Sequence, residues 1–245
     1  GDADNALTVG GVSLEWLGLM PTLLRQLGAQ QPPSAQRDSL LKIAKMTSVL
    51  PTQDPLWRKH FEHVLEAELR LLESEDHDTR EAAVHAAREL LRSQRDRVIQ
   101  FTEHVMLRLL AAHRDTSREV CLAAEECLEL VVATSDPRRC LAVLIPVAAR
   151  EETPVLQASI RLISRIVPRM GAAELQQLLP QLLPPLFDAF KSPSADVRKA
   201  VVFALVDMYL VLGDELTPHL SELSTSQLKL VTIYINRTTK ARVES

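Results

Sequence analysis

Residues 195–213 read ADVRKAVVFALVDMYLVLG, and this stretch decides the fold. Val197, Ala200, Val201, Ala204, Leu205, Met208, Val211 and Leu212 recur at steps of three and four, which puts them on one stripe of an α-helix. Gly213 follows directly and predicts the helix end, because glycine accepts the backbone turn that closes a helix.

The same stripe returns on the N-terminal side. It is spelled by Val120, Ala123, Ala124, Cys127, Leu128 and Val131, and again by Ala82, Ala83, Ala86, Ala87, Leu90 and Leu91. Val155, Ala158, Ser159, Leu162, Ile163, Ile166 and Val167 make a fourth version, and Leu40, Leu41, Ile43, Ala44 and Met46 a degenerate fifth. Small residues dominate the first turns, which lets neighbouring helices approach closely.

Aligned on the first stripe residue, Gln36, Thr79, Val120, Val155 and Val197 stand about 35 to 43 residues apart, the spacing of HEAT-type helical repeats. Bulkier partner helices are expected over 57–72, 98–110, 138–149 and 174–190, so that each pair forms an αα-hairpin. Asp54-Pro55, Asp136-Pro137 and Thr153-Pro154 each place a capping side chain before a proline suited to the first helical turn. Thr116 and Glu119 have capping-box spacing. Pro180, Pro184 and Pro185 inside one apolar run predict a kinked or broken helix. A last helix over about 225–238 would cap the array. The expectation is an all-α solenoid of about six stacked antiparallel helix pairs forming a flat paddle. Its segments are about 12–50, 55–93, 97–133, 136–170, 172–212 and 215–240, with 1–11 as an edge or cloning scar and 241–245 as a tail.

Composition agrees. The 245 residues include 46% hydrophobic side chains, enough to bury a core, and only 7 glycines, none between Gly28 and Gly171. Strand-rich folds and phosphate-cradling loops need glycine at tight turns, so both are disfavoured over that span. The net charge of -4 supplies no global basic field for nucleic acid, so any basic surface is local. Three cysteines without CxxC pairing read as reduced thiols. No apolar run reaches the roughly 18 residues of a membrane span, and no secretion signal opens the chain, so a soluble intracellular module is expected.

Catalytic constellations are absent. His60 and His63 stand at i, i+3, yet no third metal ligand follows at a suggestive spacing, and a solvated helix face is the plainer reading. Cys121 and Cys127 flank a core stripe and read as small buried hydrophobes. The acids Glu73, Glu75, Asp76 and Asp78 lack the glycine and alternation of a calcium loop and read as a solvated turn. No nucleophile elbow, Walker loop or dinucleotide fingerprint occurs, so no cofactor, no metal and no enzymatic activity are expected.

What recurs instead is basic charge in the turns inside the hairpins, at 30–37, 76–80, 113–118, 150–153 and 191–199. Arg37, Arg80, His113, Arg114, Arg118, Arg150, Lys191, Arg198 and Lys199 would form a ridge suited to an acidic protein partner. For Arg80 and Arg198, a structural bond to a neighbouring turn and a binding role both stay open. Arg114, Arg118, Lys191 and Lys199 are read as binding residues.

Several of these residues resemble a known family. Asp196-Val197-Arg198-Lys199-Ala200 with Val202-Phe203 resembles the C-terminal TOG domain of the CLASP proteins. So do Gly213-Asp214-Glu215-Leu216, Pro218-His219-Leu220, Leu228-Lys229-Leu230 and Tyr234-Ile235. Trp57 with His60-Phe61, Ala112-His113 with Asp115, and Ala124-Glu125-Glu126 extend the likeness over nearly the whole chain. The resemblance implies a single six-repeat TOG domain over 12–240. It also implies the work of CLASP proteins: nonmotor microtubule factors that track plus ends, suppress catastrophe, promote rescue, and act at kinetochores, spindles and centrosomes. Implied partners are tubulin or the microtubule lattice, CLIP proteins and kinetochore components, with no nucleic acid and no membrane insertion.

Tubulin-binding TOG domains, as the resemblance further implies, carry an aromatic in the first turn. Here that turn, 30–36, reads QQPPSAQ, while Trp16 and Trp57 lie on helices and are expected in the core. A missing aromatic anchor commonly removes a hot spot of about 2 kcal/mol or more. Weak binding of free tubulin is then expected, and the resemblance implies an alternative role, as an adaptor that recruits CLIP or kinetochore proteins with little direct free-tubulin binding.

Overall fold

In the computed structural model the backbone is described at residues 8–9 and 12–243, and side chains at 15–241. The expected edge 1–11 lies outside the described residues except for Thr8–Val9, which pairs antiparallel with Val12–Ser13. Among the described residues all other regular structure is helical. The α-helices are α1 Leu14–Gln26, α2 Pro33–Val49, α3 Pro55–Leu71, α4 His77–Ser93, α5 Arg95–Val98, α6 Thr102–Ala111 and α7 Arg118–Thr134 in the first half. The second half holds α8 Pro137–Arg150, α9 Val155–Ile166, α10 Ala172–Ala189, α11 Ala195–Leu212 and α12 Thr225–Val243. Two compact units result, Gly1–Thr134 and Ser135–Ser245.

In the first unit α1, α3 and α6 form one layer and α2, α4 and α7 the other, each helix packing on its hairpin partner and on its equivalents before and after. In the second unit α8 packs on α9 and α10 on α11, α9 lies against α11, and α12 closes against α11. The stripes explain these contacts. Val197, Ala200, Val201, Ala204, Leu205, Met208 and Leu212 are buried as expected, and Val202 and Val206 join them because α11 is covered on two sides. Val120, Ala123, Ala124, Cys127, Leu128 and Val131 are buried on α7 in the same way. Leu41 departs from its expected core position and is 64% exposed, since α2 turns Leu40 and Ile43 inward at that level. Trp57 is fully buried, whereas Trp16 is only half-buried.

Local chemistry sets the helix ends. Asp54 Oδ1 accepts the Leu56 amide at 2.9 Å, and Asp136 Oδ1 accepts the Arg139 amide at 3.0 Å, each ahead of a first-turn proline as expected. Thr153 does not cap α9: the helix starts at Val155 with Pro154 itself in the capping position, one residue too late for the Thr153 hydroxyl. At α7 the cap is Ser117, whose hydroxyl takes the Val120 amide at 3.4 Å, and not Thr116. Helix α10 is continuous through Pro180, Pro184 and Pro185, where a kink or break was expected. The carbonyls those prolines leave unpaired belong to Gln176, Pro180 and Gln181, all exposed, so solvent can satisfy them. Gly213 ends α11 at φ 60. The final helix outruns its expected 225–238 span, and the first half of the last hairpin is a 3-10 helix, Gly213–Leu220.

Candidate functional site

The basic turn residues divide into two kinds. Arg80 lies four residues after the cap Asp76, and its guanidinium faces back over its own turn. Nη1 donates to the carbonyls of Ser74 at 2.9 Å and Glu75 at 3.2 Å. Nε and Nη2 donate to Asp115 Oδ2 and Oδ1, at 2.6 and 3.2 Å, in the next turn. Asp115 is only 5% exposed and also accepts the Ser117 amide, so this is a sequestered, forked ion pair. Burial alone would raise the Asp115 carboxyl, but the Arg80 hydrogen bond, the Ser117 amide and the nearby positive charge together hold it below the usual range.

Arg198 repeats half of that arrangement. It too lies four residues after a cap, Ser194, and its Nη1 donates to the Ser192 and Pro193 carbonyls at 2.8 and 2.9 Å. Ser74 and Ser192 match as well, each bonding the cap residue's amide, at 3.3 and 3.2 Å. Among the described residues Arg198 clasps no carboxylate. Cys121 takes the equivalent place on α7, four residues after Ser117, and its thiol points at the Asp115 carbonyl 3.3 Å away. The signal was present in the sequence as a serine six residues ahead of an arginine, at Ser74 with Arg80 and at Ser192 with Arg198.

Arg37 donates to Asp76 Oδ2 at 2.6 Å, and His113 Nδ1 donates to the Leu109 carbonyl at 3.2 Å. Both therefore also brace turns. The second kind faces outward: Arg114 and Arg118 in the first unit, Arg150, Lys191 and Lys199 in the second, all exposed. Lys191 meets Asp188 at 2.9 Å, a solvent-washed pair of little energetic weight. A cleft of about 410 Å³ opens beside it, lined by Leu156, Pro184 and Pro185 with Glu151 and Asp188 at its edge.

His60 is buried with Nε2 unpartnered, not on a solvated face, and burial pushes its pKa down. Among the described residues no group of three or more His, Cys, Asp or Glu side chains is placed to hold a metal. Asp76 is committed to Thr79 and Arg37 and Glu73 meets Arg108, while Glu73, Glu75 and Asp78 are exposed, as a solvated turn requires. No described helix is long and apolar enough to cross a membrane. The first turn offers no aromatic; Gln36 Nε2 there bonds the Gly28 carbonyl at 3.0 Å. Sequence reasoning about binding missed Phe203 and Tyr234, which meet edge to face with ring centroids 5.7 Å apart on the outer surface of α11 and α12.

Comparison with known proteins agrees with this architecture. A HEAT repeat model matches residues 182–212. The chain is 38% identical over 224 residues to the CLIP-associated protein of Arabidopsis thaliana, covering 91% of this chain and 16% of that protein. The chain thus spans about one-sixth of the length of such relatives. Among solved structures, one describing the structural basis of microtubule plus end tracking by XMAP215, CLIP-170 and EB1 superposes with a TM-score of 0.76 at 16% identity, covering 88% of this chain and 90% of that one. A TOG domain of Caenorhabditis elegans Zyg9 gives 0.71 at 14% identity, with 91% and 85% covered. The resemblance to CLASP proteins and the HEAT-repeat TOG fold are both borne out.

Proposed function

We propose that this chain, taken over 12–240 as a TOG module of a CLASP-type protein, acts without catalysis by contacting tubulin or the microtubule lattice through its basic turns. The observation that carries this reading is the outward exposure of Arg114, Arg118, Arg150, Lys191 and Lys199 at turns of a TOG fold. Arg37, Arg80, Arg198 and His113 hold those turns in shape, so the nine basic residues divide into a contact set and a bracing set. An acidic protein surface is the partner such a charge pattern fits, and its contribution should weaken as salt is raised. In the full-length protein this contact would serve plus-end tracking, catastrophe suppression and rescue, with action at spindle, kinetochore and centrosome and a cytoskeletal location.

Cosedimentation with microtubules, and size exclusion with free tubulin, test the reading. Reversing Arg118, Arg150 and Lys191 to glutamate together should abolish binding that the parent shows at low salt. Undiminished binding by the triple variant removes the turns from the account.

A second reading is favoured by the first turn, where Gln30–Pro32 and Gln36 supply no aromatic anchor. In it the module recruits CLIP or kinetochore proteins and binds free tubulin weakly. Tubulin failing to comigrate while a CLIP fragment is captured would select this role.

A further inference from the structure

Phe203 is 41% exposed on α11, four residues after Lys199, and Tyr234 of α12 stands edge-on to its ring. Cations cover both rings. Lys199 Nζ lies 5.9 Å from the centroid of Phe203, and the Arg237 guanidinium lies 5.7 Å from that of Tyr234. Among the described residues neither cation meets a carboxylate within ion-pair distance. Leu230, one turn before Tyr234, adds an exposed apolar side chain to the same flank of α12. On the other side of Lys199 a groove of about 220 Å³ runs between α9 and α11, bordered by Gln157, Arg161 and Asp196.

We propose that this strip, Lys199–Phe203–Tyr234–Arg237 with Leu230, is a docking site for a short acidic peptide segment of a partner protein. The segment would place an apolar residue against Phe203 and Leu230, with carboxylates toward Lys199 and Arg237. Charge complementarity selects that occupant. Ser135–Ser245 carries 13 basic and 11 acidic residues, against 15 and 21 for Gly1–Thr134, so the strip sits on the positive unit of an acidic chain. Each cation lies within cation–π range of a ring, which restrains its head, so less side-chain freedom is lost when a carboxylate arrives. An unoccupied cluster of exposed Phe203 and Leu230 around half-buried Tyr234 has no folding role that polar residues would not serve. Helices packed side by side lie roughly 10 Å apart, so the strip on α11 and α12 together with the groove toward α9 measures about 20 Å, the reach of roughly six extended residues.

This surface is separate from the turn contacts except for Lys199, and its test leaves the turn residues untouched. The probe is a short fluorescein-labelled peptide of glutamates interrupted by leucine and phenylalanine, titrated against the 245-residue chain by anisotropy. Saturable binding that falls at least about tenfold in Arg237→Glu and in Phe203→Ser, and that a glutamine-for-glutamate peptide does not reproduce, supports the site. Circular dichroism melts confirm that both variants remain folded, and the change at exposed Arg237 keeps the test decisive if Phe203→Ser does not. Absence of binding, equal binding by the variants, or equal binding of the glutamine peptide overturns it. So does a shift of the parent to a dimer in sedimentation that Phe203→Ser removes, since the strip would then face a second copy. Microtubule cosedimentation of Arg237→Glu at the parental level separates failure of this site from failure of the turn contacts.

Discussion

Arg80 and Asp115, 35 residues apart in sequence, form a two-pronged ion pair that ties the turn between α3 and α4 to the turn between α6 and α7. Arg80 is 17% exposed and Asp115 5%, so removing either strands a largely dehydrated charge.

Arg80→Ala and Asp115→Ala should each cost about 3 kcal/mol in urea unfolding, and Arg80→Lys should recover little because a lysine cannot fork. Arg37→Ala, by contrast, should cost at most about 1 kcal/mol, since the Arg37–Asp76 pair is about one-third exposed on each side. Equal losses at the two arginines would contradict the ranking.

Acid should loosen the first unit through the same carboxyls. Both Asp115 and Asp76 are held below their ordinary values, Asp76 chiefly by the Thr79 hydroxyl. A depressed carboxyl contributes stability that is present above the unfolded value near 4 and lost as pH falls through the folded one. Stability followed from pH 6 to pH 2 should drop across that window in the parent. The drop should be shallower in an Asp115→Asn variant.

Glu68 runs the other way. It is fully buried, both carboxyl oxygens lack partners, and burial holds its pKa well above the ordinary value. Above the unfolded value the unfolded chain binds fewer protons than the folded one, so this residue subtracts stability as pH rises. Glu68→Met should therefore stabilise the protein by about 1 to 3 kcal/mol at neutral pH, with the gain shrinking toward pH 4. A variant less stable than the parent at pH 8 would disprove the assignment.

The cysteines should be poor nucleophiles. Burial pushes Cys127 up to about 12 and Cys140 up to about 11, and raises Cys121 as well. In the native protein at pH 7.5, iodoacetamide should modify only Cys121 at a measurable rate, because it alone is not fully buried. Cys127 and Cys140 should react on unfolding, read by peptide mass spectrometry.

Gly213 stands at φ 60 and ψ -142, a conformation nearly confined to glycine. Space around it is open, so Gly213→Ala isolates the backbone effect and should cost about 1 to 3 kcal/mol. Gly18→Ala, with open space and ordinary helical backbone, should be neutral or slightly stabilising.

By itself the sequence determined the helices, their period and most of their ends. The apolar stripes of α4, α7, α9 and α11, the caps Asp54 and Asp136, and the Gly213 stop all act within a few residues, where spacing and local hydrogen bonding decide. Tertiary structure decided what the sequence left open: that Arg80 is committed to Asp115 while Arg198 makes only the carbonyl half of the clasp, that Leu41 faces out, and that Phe203 meets Tyr234. Those outcomes depend on the stacking register between hairpins, which brings together side chains roughly 30 to 40 residues apart. Periodicity along one helix specifies which face is buried. It does not specify which residue of the next repeat stands opposite.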